Sequence, residues 1–196
     1  MANPYTYLMS SVGITLHAWS QVESGMAQLF WQVSGSDLEK AEAVFDTIVS
    51  FETRIAVLDA VIACDGLMPE EEKEVWTSLS ARLRKLYKKR HEIAHFGVAS
   101  PADIVTGARI APFFTWGKER HKTNKYLTHD QIMVRANSFT AASRAVNWFS
   151  GFMMRKKLPL LSDSPPLQEP ELIVRIRELL ILKKEGQTPQ PELGLE

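Results

Sequence analysis

From Leu8 to Phe30 the apolar side chains Leu8, Val12, Leu16, Trp19, Val22, Met26, Leu29 and Phe30 recur at steps of three and four residues. That period puts them on one face of a helix, whereas a half-buried strand would alternate by two. The pattern predicts a first helix over about Tyr5 to Val33, punctuated by Gly35 and Ser36. A second stripe, Ala41, Val44, Phe45, Ile48, Phe51, Ile55, Leu58 and Ile62, predicts one helix from Leu38 to Cys64. Asp65-Gly66 would end it, with Gly66 in the left-handed position past the last turn. Pro69 and then Glu70, Glu71 and Glu72 open a third helix, where a missing N–H is harmless and the dipole favours acid. Its stripe is Val75, Trp76, Leu79, Leu83, Leu86, Tyr87 and Ile93, and Gly97 is the expected stop.

The period breaks over residues 98–127, where Ile104–Val105 and Ile110–Trp116 read as short strands or extended loop. Thr128-x-x-Gln131 is a capping box that starts a fourth helix, running to about Met154 through Ile132, Val134, Phe139, Ala142, Val146, Phe149 and Phe152. Leu158 to Pro170 is a proline-bearing linker. Glu171 to Lys184 is again helical in period, a segment to be docked on the bundle or on a partner, and the tail from Gly186 reads as disordered. The expected fold is all-α. It is a four-helix-type bundle (1–157) with an irregular loop or short hairpin before its last helix, then a linker (158–170) and a C-terminal helical arm (171–196).

Charge and cysteine usage narrow the chemistry. The 23 basic and 23 acidic side chains cancel, so the chain as a whole is no polyanion binder and any such role must be local. A single cysteine, Cys64, excludes an internal disulfide and a multi-cysteine metal cluster, and its apolar helical setting predicts a buried, inert thiol. With no secretory leader pattern and no apolar run of about 18 residues, the expectation is a cytoplasmic protein with no membrane contact.

The run Arg90-His91-Glu92-Ile93-Ala94-His95 carries the densest chemistry. From His91 it is His-Glu-x-x-His, a zinc-peptidase pattern with Glu92 as base, since histidines four apart differ by only about 40° around a helix. That site wants a third ligand. Val98 and Pro101 stand where the extended metzincin form has Gly and His, and Glu119 in a polar loop is the nearest candidate. The cations Arg82, Arg84, Lys85, Lys88, Lys89 and Arg90 also oppose a dication. From Arg90 the run is Arg-x4-His. A guanidinium grips phosphate with two parallel hydrogen bonds. Histidine, with an unperturbed pKa of about 6.5, takes a proton from a ribose 2′-OH and returns one to the leaving oxygen. RNA brings its own nucleophile, so no cofactor and no metal is needed. Arg82, Lys85, Lys88 and Lys89, with Lys118 and Arg120 in the basic loop 118–125, would bind the RNA backbone. Tyr87 and Phe96 flank the run as candidates for base stacking, with core packing the alternative for Tyr87.

One geometric problem stands: Arg90 and His95 differ by about 140° on a regular helix. Either the helix loosens near Phe96-Gly97, or the site is built from two copies of the run. The plain alternative is a helix end whose last-turn cations suit the dipole.

Arg-polar-x-x-x-His at a helix end in a small α bundle resembles the HEPN superfamily of RNases. Trp19-x-x-x-Glu23, Arg54-Ile55-x-x-Leu58 and Leu86-x-x-x-Arg90-His91-x-Ile93-Ala94-His95-Phe96-Gly97 extend the likeness over about residues 5–155. The resemblance implies a homodimer whose paired runs form one metal-independent endoribonuclease site. Arg90 would hold the phosphate, His95 would transfer protons and His91 would fill the polar position after the arginine. It also implies a toxin, phage-defence or RNA-processing role, with an antitoxin or other protein as partner, or a binding module that has lost cleavage. Elsewhere, His17 and His129 read as structural. Trp19, Trp31, Trp76 and Trp148 read as core or dimer contacts, while Glu23 and Glu52, near or within apolar stripes, could face either Arg54 or the Arg90–His95 run, with no pairing set by the sequence.

Overall fold

The computed structural model describes residues 4–98, 110–112, 126–158 and 164–187. Among these the order is α1 (Pro4–Ser34), α2 (Leu38–Thr47), α3 (Phe51–Cys64), α4 (Glu70–His95), β1 (Phe96–Val98), β2 (Ile110–Pro112), α5 (His129–Lys157) and α6 (Glu171–Lys184). The class is all-α, as the stripes predict; the one small sheet among the described residues pairs Phe96 with Pro112, Gly97 with Ala111 and Val98 with Ile110, antiparallel. No helix among the described residues is long and apolar enough to cross a membrane.

Local signals set most boundaries. Gly35 ends α1 with φ 69°, a conformation that costs other residues a Cβ clash. Asp37 caps α2, its Oδ1 accepting the Lys40 N–H at 2.8 Å. The Pro69 carbonyl takes the first hydrogen bonds of α4, from Glu72 and Lys73. The Thr128–Gln131 box forms as expected: the Thr128 N–H donates to Gln131 Oε1 at 3.0 Å and the Gln131 N–H to Thr128 Oγ1 at 3.4 Å.

Several expectations are corrected. The single helix over 38–64 is two, because the chain turns extended at Ile48 (ψ 100°) and Ser50 caps anew by accepting from the Thr53 N–H. Thr47, Ile48 and Val49 are three β-branched residues in a row, a poor helical run. Val44 and Val134 do not face inward: they are 53% and 62% exposed, and the buried stripes run through Ala41 and Phe45, and through Ile132, Ala136 and Phe139. Cys64 is exposed, being the last residue of α3 and two places past the buried Ile62. Left-handed backbone among the described glycines is confined to Gly35 and Gly186. Asp65, not Gly66, turns the chain after α3, its Oδ1 accepting the N–H groups of Leu67 (2.7 Å) and Met68 (3.0 Å). Helix α4 stops at His95 and Gly97 lies within β1. Of the expected strands, 110–112 is β2, while 104–105 and 113–116 lie outside the described residues, as do most of the tail and linker positions 159–163.

The chain divides into two compact units, each discontinuous in sequence. The first comprises Met1–Ser24 and Leu83–Ser143. Its centre is Trp19, 1% exposed, whose ring meets Phe139 edge-on at 5.1 Å and Tyr87 at 5.9 Å. The Thr15 hydroxyl donates to Ser11 O at 2.6 Å and lies 3.3 Å from the Ile132 carbonyl of α5. Ile110 exchanges both backbone hydrogen bonds with Leu127, which carries the sheet into the start of α5.

The second unit comprises Gly25–Arg82 and Arg144–Glu196. Trp76 packs edge-on against Phe149 and donates its Nε1–H to Asp59 Oδ1 at 2.8 Å. Phe30 stacks on Phe45, and Arg54 lies over the Phe45 ring while its Nε donates to Ile48 O, so Arg54 braces the α2–α3 turn. Helix α6 is docked here, settling its destination within the chain: Leu172, Ile173 and Ile176 are buried. Arg177 joins Glu72 (2.7 and 2.8 Å) and Glu169 (3.1 and 3.2 Å) while lying over Trp148. Burial lowers the Arg177 pKa, but its bonds to Glu72 and Glu169 outweigh that and hold it above its usual range.

Candidate functional site

The Arg90–His95 run occupies the last two turns of α4, in the first unit. Ile93 anchors it, 2% exposed. Because α4 stays helical through His95, side-chain directions follow from helix geometry, about 100° per residue. Arg84, Lys88, His91 and His95 fall within an arc of about 60°. Lys88, His91 and His95 are exposed on it and Arg84 is half-buried. Lys85 is exposed beside that arc, and Lys89 is half-buried nearer the core.

The structure brings His91 and His95 together, ring centroids 4.1 Å apart and planes inclined 48°. His91 also meets Tyr87 at 6.4 Å. Tyr87 is half-buried against Trp19, so it packs on the core as well as lining the histidine pair. Arg90 does not join the pair. It points toward the core side of the helix, half-buried, and its Nε is shielded from solvent with no hydrogen-bond partner among the described residues. The loosening of the helix that would swing His95 toward Arg90 does not occur before the helix ends. The two side chains of one copy therefore diverge by about 140°.

Arg82 belongs to the other unit and is half-buried; burial, then the charge of Arg175, push its guanidinium pKa down. Lys118, Arg120 and Glu119 lie outside the described residues. His17 is exposed, and His129, the first residue of α5, meets the Tyr7 ring edge-on at 6.5 Å.

Among the described residues no third side chain joins His91 and His95 to make a metal-holding group. Glu92, the base of the zinc-peptidase reading, is engaged instead by Arg135, whose Nη2 lies 2.8 Å from Glu92 Oε2. Arg135 Nη1 also donates to Lys89 O at 3.0 Å. Sequence reasoning passed over Arg135. The signal was present, since Arg135 sits beside Ile132, Ala136 and Phe139 on a buried face, where an arginine needs a partner.

No protein-family model, no curated protein and no solved structure matches the chain.

Proposed function

We propose that the end of α4 is a metal-independent endoribonuclease site. The observation that carries this reading is the exposed His91–His95 pair, 4.1 Å between ring centroids, at the end of a cationic helix face. One neutral imidazole takes the ribose 2′-OH proton as that oxygen attacks phosphorus. A protonated one gives a proton to the departing 5′-oxygen, leaving a 2′,3′-cyclic phosphate. Arg90 supplies a half-buried guanidinium; its Nε is shielded from solvent, so its terminal nitrogens are the donors offered to phosphate. The divergence of Arg90 from His95 in one copy is met by a homodimer, in which one chain's Arg90 serves the other's histidines. In this reading the partners are RNA and a second copy, with an antitoxin or other protein restraining a toxin or phage-defence activity.

A second reading, a non-catalytic helical dimer that binds protein or RNA, is favoured by that same divergence and by the half-burial of Arg90. The zinc-peptidase reading is set aside because Arg135 occupies Glu92.

The deciding experiment is incubation of purified protein with mixed-sequence single-stranded RNA in excess EDTA, beside His95→Ala. Cleavage that survives chelation and disappears in the variant supports the ribonuclease. Equal absence of cleavage in both proteins supports the binding module.

A further inference from the structure

Two hydrogen-bonding arms of one arginine reach the last two turns of α4. Arg135 of α5 donates from Nη1 to the backbone oxygen of Lys89, and its Nη2 pairs with the Glu92 carboxylate. The two acceptors bracket Arg90 and His91 in the chain. We propose that Arg135 is a positioning residue, a two-pronged clamp that holds Arg90, His91 and His95 in fixed register. The inference rests on the ribonuclease reading of that turn.

The end of a helix needs such a device more than its middle does. Its last four carbonyls have no intrahelical donor, so the terminal turn frays readily. The two imidazoles make ring contacts, but among the described residues no hydrogen bond orients either of them. Their placement therefore depends on the backbone beneath them. Lys89 O is already the helical acceptor for the Ile93 N–H, and a carbonyl oxygen has a second lone pair to take Arg135. A donor there ties the backbone itself, which a contact between side chains alone would not do.

The pair is unlike a surface ion pair. The Arg135 side chain is 16% exposed and that of Glu92 30%. The fork of the guanidinium lets two nitrogens address two acceptors at once, where a lysine ammonium would act as a single point. Arg135 also starts from a fixed base. Helix α5 is capped by the Thr128–Gln131 box, and Ile132 O lies against the Thr15 hydroxyl. On the far side of His95, Phe96 enters the β1–β2 pairing. The histidine pair is thus held from before and after.

The test compares full-length wild type with Arg135→Ala, Arg135→Lys and Glu92→Gln. Single-stranded RNA cleavage in EDTA and the imidazole proton resonances of His91 and His95 are recorded below the melting temperature of each protein. Arg135→Ala is expected to lower kcat about 10- to 100-fold, the scale of a small misplacement of reacting groups. KM should change less than about threefold, and both histidine resonances should shift or broaden. Arg135→Lys should fall between Arg135→Ala and wild type, while Glu92→Gln, which keeps an acceptor oxygen, should stay near wild type. Wild-type kcat and unmoved resonances in Arg135→Ala overturn the proposal. If Arg135→Ala does not fold, the same result in Arg135→Lys overturns it. If wild type cleaves no RNA, the ribonuclease reading fails separately, and the clamp stands or falls on the histidine resonances.

Discussion

His91 and His95 face each other across one turn of α4 with ring centroids 4.1 Å apart, while Arg90, in the same turn, faces away toward the core. A reaction needing all three therefore separates their roles. His95→Ala should lower the cleavage rate at least about 100-fold, the usual worth of a positioned acid or base. Arg90→Lys should also be impaired, because an ammonium cannot reproduce the fork. Mixing Arg90→Ala with His95→Ala protein should restore part of the activity through hybrid dimers. A mixture as inactive as its components would place the whole site in one chain.

The seat of α6 is expected to be worth a measurable fraction of stability. Arg177 binds two carboxylates and covers Trp148, with a quarter of its side chain exposed. Arg177→Ala should cost about 2–3 kcal/mol, the range for hydrogen bonds to charged groups whose partners are left unmatched. Urea unfolding reads this directly. A double-mutant cycle with Glu72→Ala should return a coupling well above the ~0.5 kcal/mol of an exposed pair.

Trp76→Phe keeps an aromatic ring beside Phe149 but loses the donor to Asp59 together with part of the buried indole. The expected loss is at least about 1.5–2 kcal/mol in the same unfolding experiment, the worth of a hydrogen bond to a carboxylate, with the lost burial added to it. A loss below the error of the measurement would mean that Ser80 and water satisfy Asp59 as well as the indole does.

Acid should loosen α2 through its cap. The side chain and then the backbone N–H of Lys40 hold the Asp37 carboxyl below its usual range. A depressed folded pKa gives stability that is complete above the unfolded value of about 3.9 and is lost as pH falls through the folded one. Asp37→Asn keeps an acceptor for the Lys40 N–H but carries no charge. Its stability should therefore depend less on pH below about 4. Identical acid profiles for the two proteins would assign the wild-type dependence to other carboxylates.

The signals that the sequence displayed plainly were those written in neighbouring residues. Thr128 and Gln131 are three apart and cap as read, and Leu172 and Ile176 set the bounds and buried side of α6. Signals that depend on phase or on distant partners were harder to see. Val134 lies two places from Ile132, which on a helix is the opposite side, and only a consistent phase through Ala136 and Phe139 reveals this. The β-branched run at 47–49 was outvoted by apolar residues on both sides of it. At the site, the closeness of His91 and His95 followed from four-residue spacing. The engagement of Glu92 by Arg135 did not, because the two are 43 positions apart and nothing local joins them.

Arg177 finds Glu72 across 105 residues of chain. At the 5–20 residues per second of protein synthesis, Glu72 leaves the ribosome roughly 5–20 s before its partner. Through that interval the bed that receives Leu172, Ile173 and Ile176 stands open to water, with Trp148 part of it once made. The nascent protein thus passes through a stage in which its first unit can be complete and its second cannot. During that stage, a chaperone that recognises uncovered apolar surface has a time window set by translation itself.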